Sequence, residues 1–341
     1  GAHRDLHSFP TRRSSDLNAS FAFRNDNPGQ TLAFNKVLVP AASVANARSL
    51  NIEGVGPTHI QGNIEKGSSV SLTLNLNGVG PLTLSGNNTL TALYMNGEPS
   101  SVINLAAGTN TFANGGSGNL IAQRDAVING PGVLRLSDGG SENYADNGVA
   151  FGKTLTINAQ IIGTGFEYYH GSYSGTIVLN ATNLFTGQVL INNPGTISVR
   201  RIGNRGSTDS NLGSGSYFRF SADGSGARLL YTGEGETTDR YLHFKKSLSI
   251  VEHAGTGLLN FSMTNLCDSG SKTLRLQGDT SGVGEFSGAL VNSAATLSLV
   301  KAGLGTWRLS AANTFSGSTA VNGGTLALTG EAGAIASSTS Y

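Results

Sequence analysis

The chain has 341 residues, room for two ordinary domains or one long one, and its 48 glycines, 8 prolines and 13% charged residues point to the second. Proline is too scarce for collagen, and 38% hydrophobic residues spread along the whole length can fill a core that a highly charged disordered chain lacks. A formal net charge of +1, with its basic residues scattered, gives phosphate no clustered face to bind, so no nucleic-acid partner is expected.

Residues 1–17 differ from everything after them. They hold three arginines, show no alternation, and resemble, over HSFPTRRSSDL from His7 to Leu17, the translation of a short-read sequencing adapter. They are read as an artefactual or disordered segment and set aside from the fold. No apolar leader core opens the chain and no cap is evident at either end, so both ends read as cut. The lone Cys267 excludes an internal disulfide and a cysteine-rich metal site, and is read as a small buried hydrophobe. No apolar run reaches the eighteen or so residues of a membrane-spanning helix.

From Asn18 onward, short alternating runs are punctuated by glycine and asparagine. The best helical candidate, Pro40 to Leu50, is short. Val70–Leu76, Leu82–Leu84, Thr176–Leu179, Thr273–Leu276 and Thr325–Leu328 put Leu, Ile and Val on one face and Thr, Ser or Asn on the other. That is the period of a half-buried strand. Three stretches share one plan: GPLTLSGNNTLTALYMNGEPSSVINL from Gly80, GTIVLNATNLFTGQVLINNPGTISV from Gly175 and GTWRLSAANTFSGSTAVNGGTLAL from Gly305. Each reads as glycine, strand, asparagine turn, hydroxyl-rich segment, strand, turn and strand. Repeat-like units are therefore placed near 80–105, 175–199 and 299–328.

Short strands with such turns build a sandwich or a solenoid. Two features favour the solenoid. The turns carry Asn87-Asn88, Asn192-Asn193 and Asn322-Gly323-Gly324, residues that tolerate positive φ and can bond along a column of coils. Aromatic residues are only 7%, which suits a narrow core of stacked aliphatic side chains. The expected fold is all-β, a right-handed parallel β-helix (β-solenoid) forming one elongated domain over residues 18–341. At about 20 to 25 residues per coil and a strand spacing of about 4.8 Å, this makes on the order of fifteen coils and a rod of about 70 Å.

The segment Leu299–Leu326 contains Lys301-Ala302-Gly303-Leu304-Gly305-Thr306-Trp307, then Ala312-Asn313-Thr314-Phe315-Ser316-Gly317, then Thr319-Ala320-Val321-Asn322-Gly323-Gly324-Thr325-Leu326. It resembles the autotransporter-associated β-strand repeat. The middle unit keeps Gly175-Thr176, Asn183, Phe185, Gly187 and Gly195-Thr196 but lacks the leading lysine and the tryptophan. The resemblance implies a secreted or surface-exposed passenger, outer-membrane-associated, acting as adhesin or structural spacer. It also implies a partner outside these residues, the protein's own C-terminal β-barrel translocator.

Candidate chemistry is sparse. A β-helical polysaccharide lyase or glycoside hydrolase is the enzymatic alternative, and it needs two carboxylates and a basic side chain close together on neighbouring coils. The loop Asp138–Asn147 offers carboxylates without the spacing of a calcium loop. The run Glu234, Glu236, Asp239, Arg240, His243, Lys245 and Lys246 alternates in sign like a solvated surface. His59, His170 and His253 lack zinc-site spacing. No catalytic residue, metal or cofactor is assigned, and the chain is read as non-enzymatic. Tyr168, Tyr169 and Tyr173, around His170, form the densest aromatic patch and are the candidate ligand-binding residues. The partners expected are carbohydrate or host and cell-surface ligands.

Overall fold

A computed structural model describes residues 20–39, 46–68, 70–113, 119–137, 145–168, 173–222, 224–330 and 333–335. Every regular element among them is a β-strand, paired in parallel with the strand one coil away. The stretch read as the best helical candidate becomes strand from Asn46 to Gly54; residues 40–45 lie outside the described set. The segment 1–17 also lies outside it.

The chain winds as a parallel β-solenoid with three faces. The longest sheet has thirteen strands, from Leu32–Phe34 to Thr319–Val321, and a second has eleven, from Phe21–Asn25 to Leu266–Cys267. A third face carries a four-stranded sheet, Asn88–Leu90 to Ile161–Gly163, and a five-stranded one, Glu236–Thr238 to Thr325–Leu328. Among the described residues thirteen strands stack in that sheet, against about fifteen coils expected, and coil length is uneven. Between register partners the chain runs only 20 residues from Leu179 to Val199, but 29 from Ile128 to Ile157 and 32 from Val199 to Tyr231. In each of the three similar stretches the first and third strands are neighbours in one ladder: Leu82 on Ile103, Thr176 on Thr196, Thr306 on Thr325. Each stretch therefore spans one full turn.

The period-two pattern decides what is buried. In Val70–Leu76 the residues alternate, and Leu72, Leu74 and Leu76 are wholly buried. Like stacks on like: Leu50, Leu74, Leu93 and Leu120 form one inward column. Each such side chain contributes about 1.5 to 3 kcal/mol by leaving water. Cys267 closes the same column, buried, with its thiol pushed up to about 11 chiefly by that burial.

The corners are set by close backbone approach. A Cβ on Gly78 would lie 2.3 Å from the carbonyl oxygen of Gly54, and one on Gly97 would lie 2.1 Å from that of Gly78. Both distances are far inside contact, so glycine is obligatory in that column. Asparagine holds other edges together. Asn129 Nδ2 donates to Asn104 Oδ1 at 3.0 Å, Asn158 to Asn129 at 2.8 Å and Asn180 to Asn158 at 2.8 Å, an amide ladder across four coils.

At the end of the long sheet's strands a buried polar side chain satisfies the Gly-x-Gly turn that follows. The Tyr231 hydroxyl accepts from Gly235 N at 2.9 Å. His253 Nδ1 accepts from Gly255 N and its Nε2 faces Gly257 O, both at 3.2 Å, which fixes a neutral ring protonated on Nε2. Lys301 Nζ donates to Ala302 O, Gly303 O and Gly323 O at 2.7 to 3.0 Å. These three side chains are 0 to 1% exposed. Burial lowers the affinity of both His253 and Lys301 for their protons.

Two outcomes are expected. Asn158→Ala removes two ladder bonds and should cost about 1 to 2 kcal/mol in denaturant unfolding. His253 titrates lower when folded than the unfolded value of about 6.5. Its contribution is therefore complete above that value and lost as pH falls through the folded one. The melting temperature of the native chain should fall more steeply below pH 6.5 than that of His253→Gln; equal slopes would refute the assignment.

Candidate functional site

The third face is strand from Asn88 to Gly163 and again from Glu236 to Leu328, but not between. In that gap the 32-residue coil puts out residues 200–216 as a loop. Arg240, from the next coil and 1% exposed, pins it from inside. Its guanidinium donates to the carbonyls of Gly203, Asn204, Leu212, Gly213 and Gly215 and to Ser210 Oγ. Burial pulls its pKa down to about 10, against the pull of Asp239 and Glu236. The same coil holds the loop's amides. Glu236 Oε1 accepts from Ile202 N at 2.6 Å and Oε2 from Gly203 N at 2.8 Å, while Asp239 Oδ1 accepts from Arg205 N at 2.7 Å.

Loop and corner enclose a cleft of about 380 Å³ lined by Arg200, Arg201, Tyr231, Gly233, Glu234, Gly235 and Glu236. Arg200 and Glu234 face each other at 3.9 Å, with side chains 65% and 87% exposed. Arg201 is held by Asp209 at 2.7 Å. Tyr231 is buried in the wall, its hydroxyl pushed up to about 12 chiefly by burial. Two carboxylates and two cations from neighbouring coils thus meet here. One of the carboxylates, Glu236, has both oxygens on backbone amides and acts as a loop anchor.

The rest of the charged run separates. Asp239 pairs with Arg205, whose guanidinium lies 4.7 Å over the Tyr241 ring. His243 faces Asp268 at 2.7 Å on the second sheet, beside the stacked Tyr217 and Tyr241, 5.2 Å apart. Lys246 is exposed and Lys245 half-buried.

Tyr168 and Tyr173 do not share a surface. Tyr168 points into the core, wholly buried, its hydroxyl donating to Gly175 O at 2.9 Å and near Val149 O at 3.2 Å; burial raises its pKa. A Cβ on Gly195 would sit 2.3 Å from its ring, so the next coil covers that face. Tyr173 is half-buried against the core and takes a hydrogen bond from Gln123. Tyr169 and His170 lie outside the described residues, as do residues 138–144 of the acidic loop. Strand alternation from Phe166 carries Tyr168 inward, in register with Asn147 and Ile191, both wholly buried. The cleft was hidden in sequence because its partners come from positions about 30 residues apart in a coil of unusual length.

The segment Leu299–Leu328 spans one coil and the first two strands of the next, and each of its distinctive residues has a structural task. Lys301 caps the corner, and Trp307, 1% exposed, stacks on Phe286, which stacks on Phe261, at 5.9 and 5.1 Å. Its Nε1 donates to Gln277 O at 3.1 Å. Gly284 leaves room for the ring, since a Cβ there would be 2.4 Å away. The Asn313 side chain accepts from Leu290 N and donates to Ala311 O, and Phe315 fills the core beside it. Asn183 and Phe185 repeat that arrangement in the middle unit.

Releasing the loop is the expected effect of Arg240→Met. Losing even one charge-assisted bond, about 2 kcal/mol, should open residues 200–216 about thirtyfold more often. Limited proteolysis should then cut first within that loop, and a native-like digestion pattern would show that the loop is held elsewhere.

Residues 299–328 match the family model described as Passenger-associated-transport-repeat. Over 149 residues the chain is 32% identical to the BmaC autotransporter adhesin of Brucella suis biovar 1 (strain 1330), an alignment covering 42% of this chain and 4% of that protein. The chain therefore corresponds to a small part of its relative's length. No solved structure matches it. With a passenger-associated transport repeat in its stack of coils and a stretch similar to an autotransporter adhesin, the chain is a β-solenoid that is similar to autotransporter passengers.

Proposed function

We propose that this chain is a section of the exported rod of an autotransporter passenger, carried to the cell surface by a C-terminal β-barrel of the same protein, and that it serves there as adhesive surface and spacer without catalysing a reaction. The observation that supports this reading is that residues 299–328, which match the passenger repeat, form one coil and the start of the next in the stack. Their marked residues Lys301, Trp307 and Asn313 cap and fill the stack, and none of them faces a cleft. A repeat of this kind propagates a rod.

The parallel stack suits export as an unfolded chain. Each coil rests on its neighbour, so folding can proceed coil by coil as residues emerge, without waiting for distant segments. Adhesion by such a rod is a matter of many weak contacts presented together, and their effective concentration is set by the rod's length.

The chain joined to an outer-membrane translocator barrel, in a Gram-negative host, should be cleaved by protease added outside intact cells. Retention inside the envelope, in cells where the barrel itself is inserted, would refute the reading.

A further inference from the structure

We infer that the cleft between the 200–216 loop and the Gly233–Glu236 corner binds a neutral saccharide unit through vicinal hydroxyls. This deepens the adhesive reading and rests on it. The loop is more rigidly held than its place on the surface requires. A buried arginine with six acceptors and two carboxylates on three backbone amides fix residues that an ordinary corner would have replaced with a few residues of turn. Burying a guanidinium is costly, and its proton affinity is depressed in consequence. What that rigidity secures is the position of Arg200 and Arg201 opposite Glu234, and preorganisation of this kind lowers the cost of binding.

The chemistry of the walls selects the ligand. Arg200 and Glu234 stand at 3.9 Å, beyond hydrogen-bond reach, and are largely exposed. A small outward swing admits a hydroxyl that accepts from the guanidinium and donates to the carboxylate. Vicinal hydroxyls match that donor and acceptor pair, and the backbone of Gly233 and Gly235 offers a floor without side chains for the ring. Charges of both signs line the cleft, so it attracts neither a polyanion nor a polycation strongly. A peptide is disfavoured too. The flanking strands Thr196–Val199, Ala227–Tyr231 and Leu248–His253 are paired on both sides, and the edge of Glu236–Thr238 is covered by the loop, whose Ile202 and Gly203 bond the Glu236 and Thr238 side chains, so no edge is open for strand addition. The lining holds no aliphatic side chain to make an anchor pocket, and its one ring, Tyr231, is buried.

The test is affinity electrophoresis of the full chain through gels containing mannan, dextran, galactan or xylan, with heparin as a charged comparison. Retardation by at least one neutral polymer is expected, with that polymer's length unchanged. Arg200→Gln and Glu234→Gln should each weaken it at least about fivefold, with melting temperatures unaltered because both side chains are exposed. Arg24→Gln, on a distant coil, should leave retardation as it was. No retardation by any neutral polymer, retardation indifferent to both cleft variants, or retardation by heparin alone would overturn the inference. Shortening of the polymer that Glu234→Gln abolishes would overturn it as well, by making the cleft catalytic. A chain that reaches the cell surface yet fails these gels loses only the saccharide site; one that passes them but never leaves the envelope loses the passenger reading.

Discussion

Stacking parallel coils one strand spacing apart forces each corner to lie directly on the corner below, and the rest of the structure follows from that. The approach at the Gly54, Gly78 and Gly97 column leaves about 2 Å between a carbonyl oxygen and the place a Cβ would occupy. The glycine content is thus a geometric requirement of the corners. The same superposition brings identical side-chain positions into register, so Leu meets Leu inside and Asn meets Asn along an edge.

Superposed corners also trap backbone groups away from water, and the chain answers with side chains that reach inward. Asn183 and Asn313 act on the turns between strands; Tyr231, His253 and Lys301 act on the Gly-x-Gly turns after the long sheet. Three chemically unlike residues at one structural position share a task, satisfying an amide or a carbonyl that would otherwise cost free energy. Most of the ties between coils are neutral amides and backbone bonds. Neutral ties are indifferent to ionic strength.

The proposed saccharide site arises where regularity lapses. The third face loses its strands for two coils, the second of them long, and the loop released there is anchored again by Arg240, Glu236 and Asp239. A regular solenoid offers smooth walls; this lapse makes the cleft. The passenger-like repeat at 299–328 lies elsewhere on the rod and contributes architecture.

Period-two alternation in runs such as Val70–Leu76, glycine and asparagine turns, and the Lys301-to-Leu326 motif were enough by themselves to give strands, solenoid and the resemblance to a passenger repeat, because each is local. Coil number was less legible, since it depends on insertions such as the one between Val199 and Tyr231. Only the tertiary structure decided that Tyr168 faces the core, that the run from Glu234 to Lys246 divides between an anchor, a buried clamp and two separate surfaces, and that Arg200 meets Glu234. The physical reason is that a side chain's neighbours in a solenoid lie one coil away, 19 to 32 residues along the chain, and that distance is set by loops whose lengths follow no period.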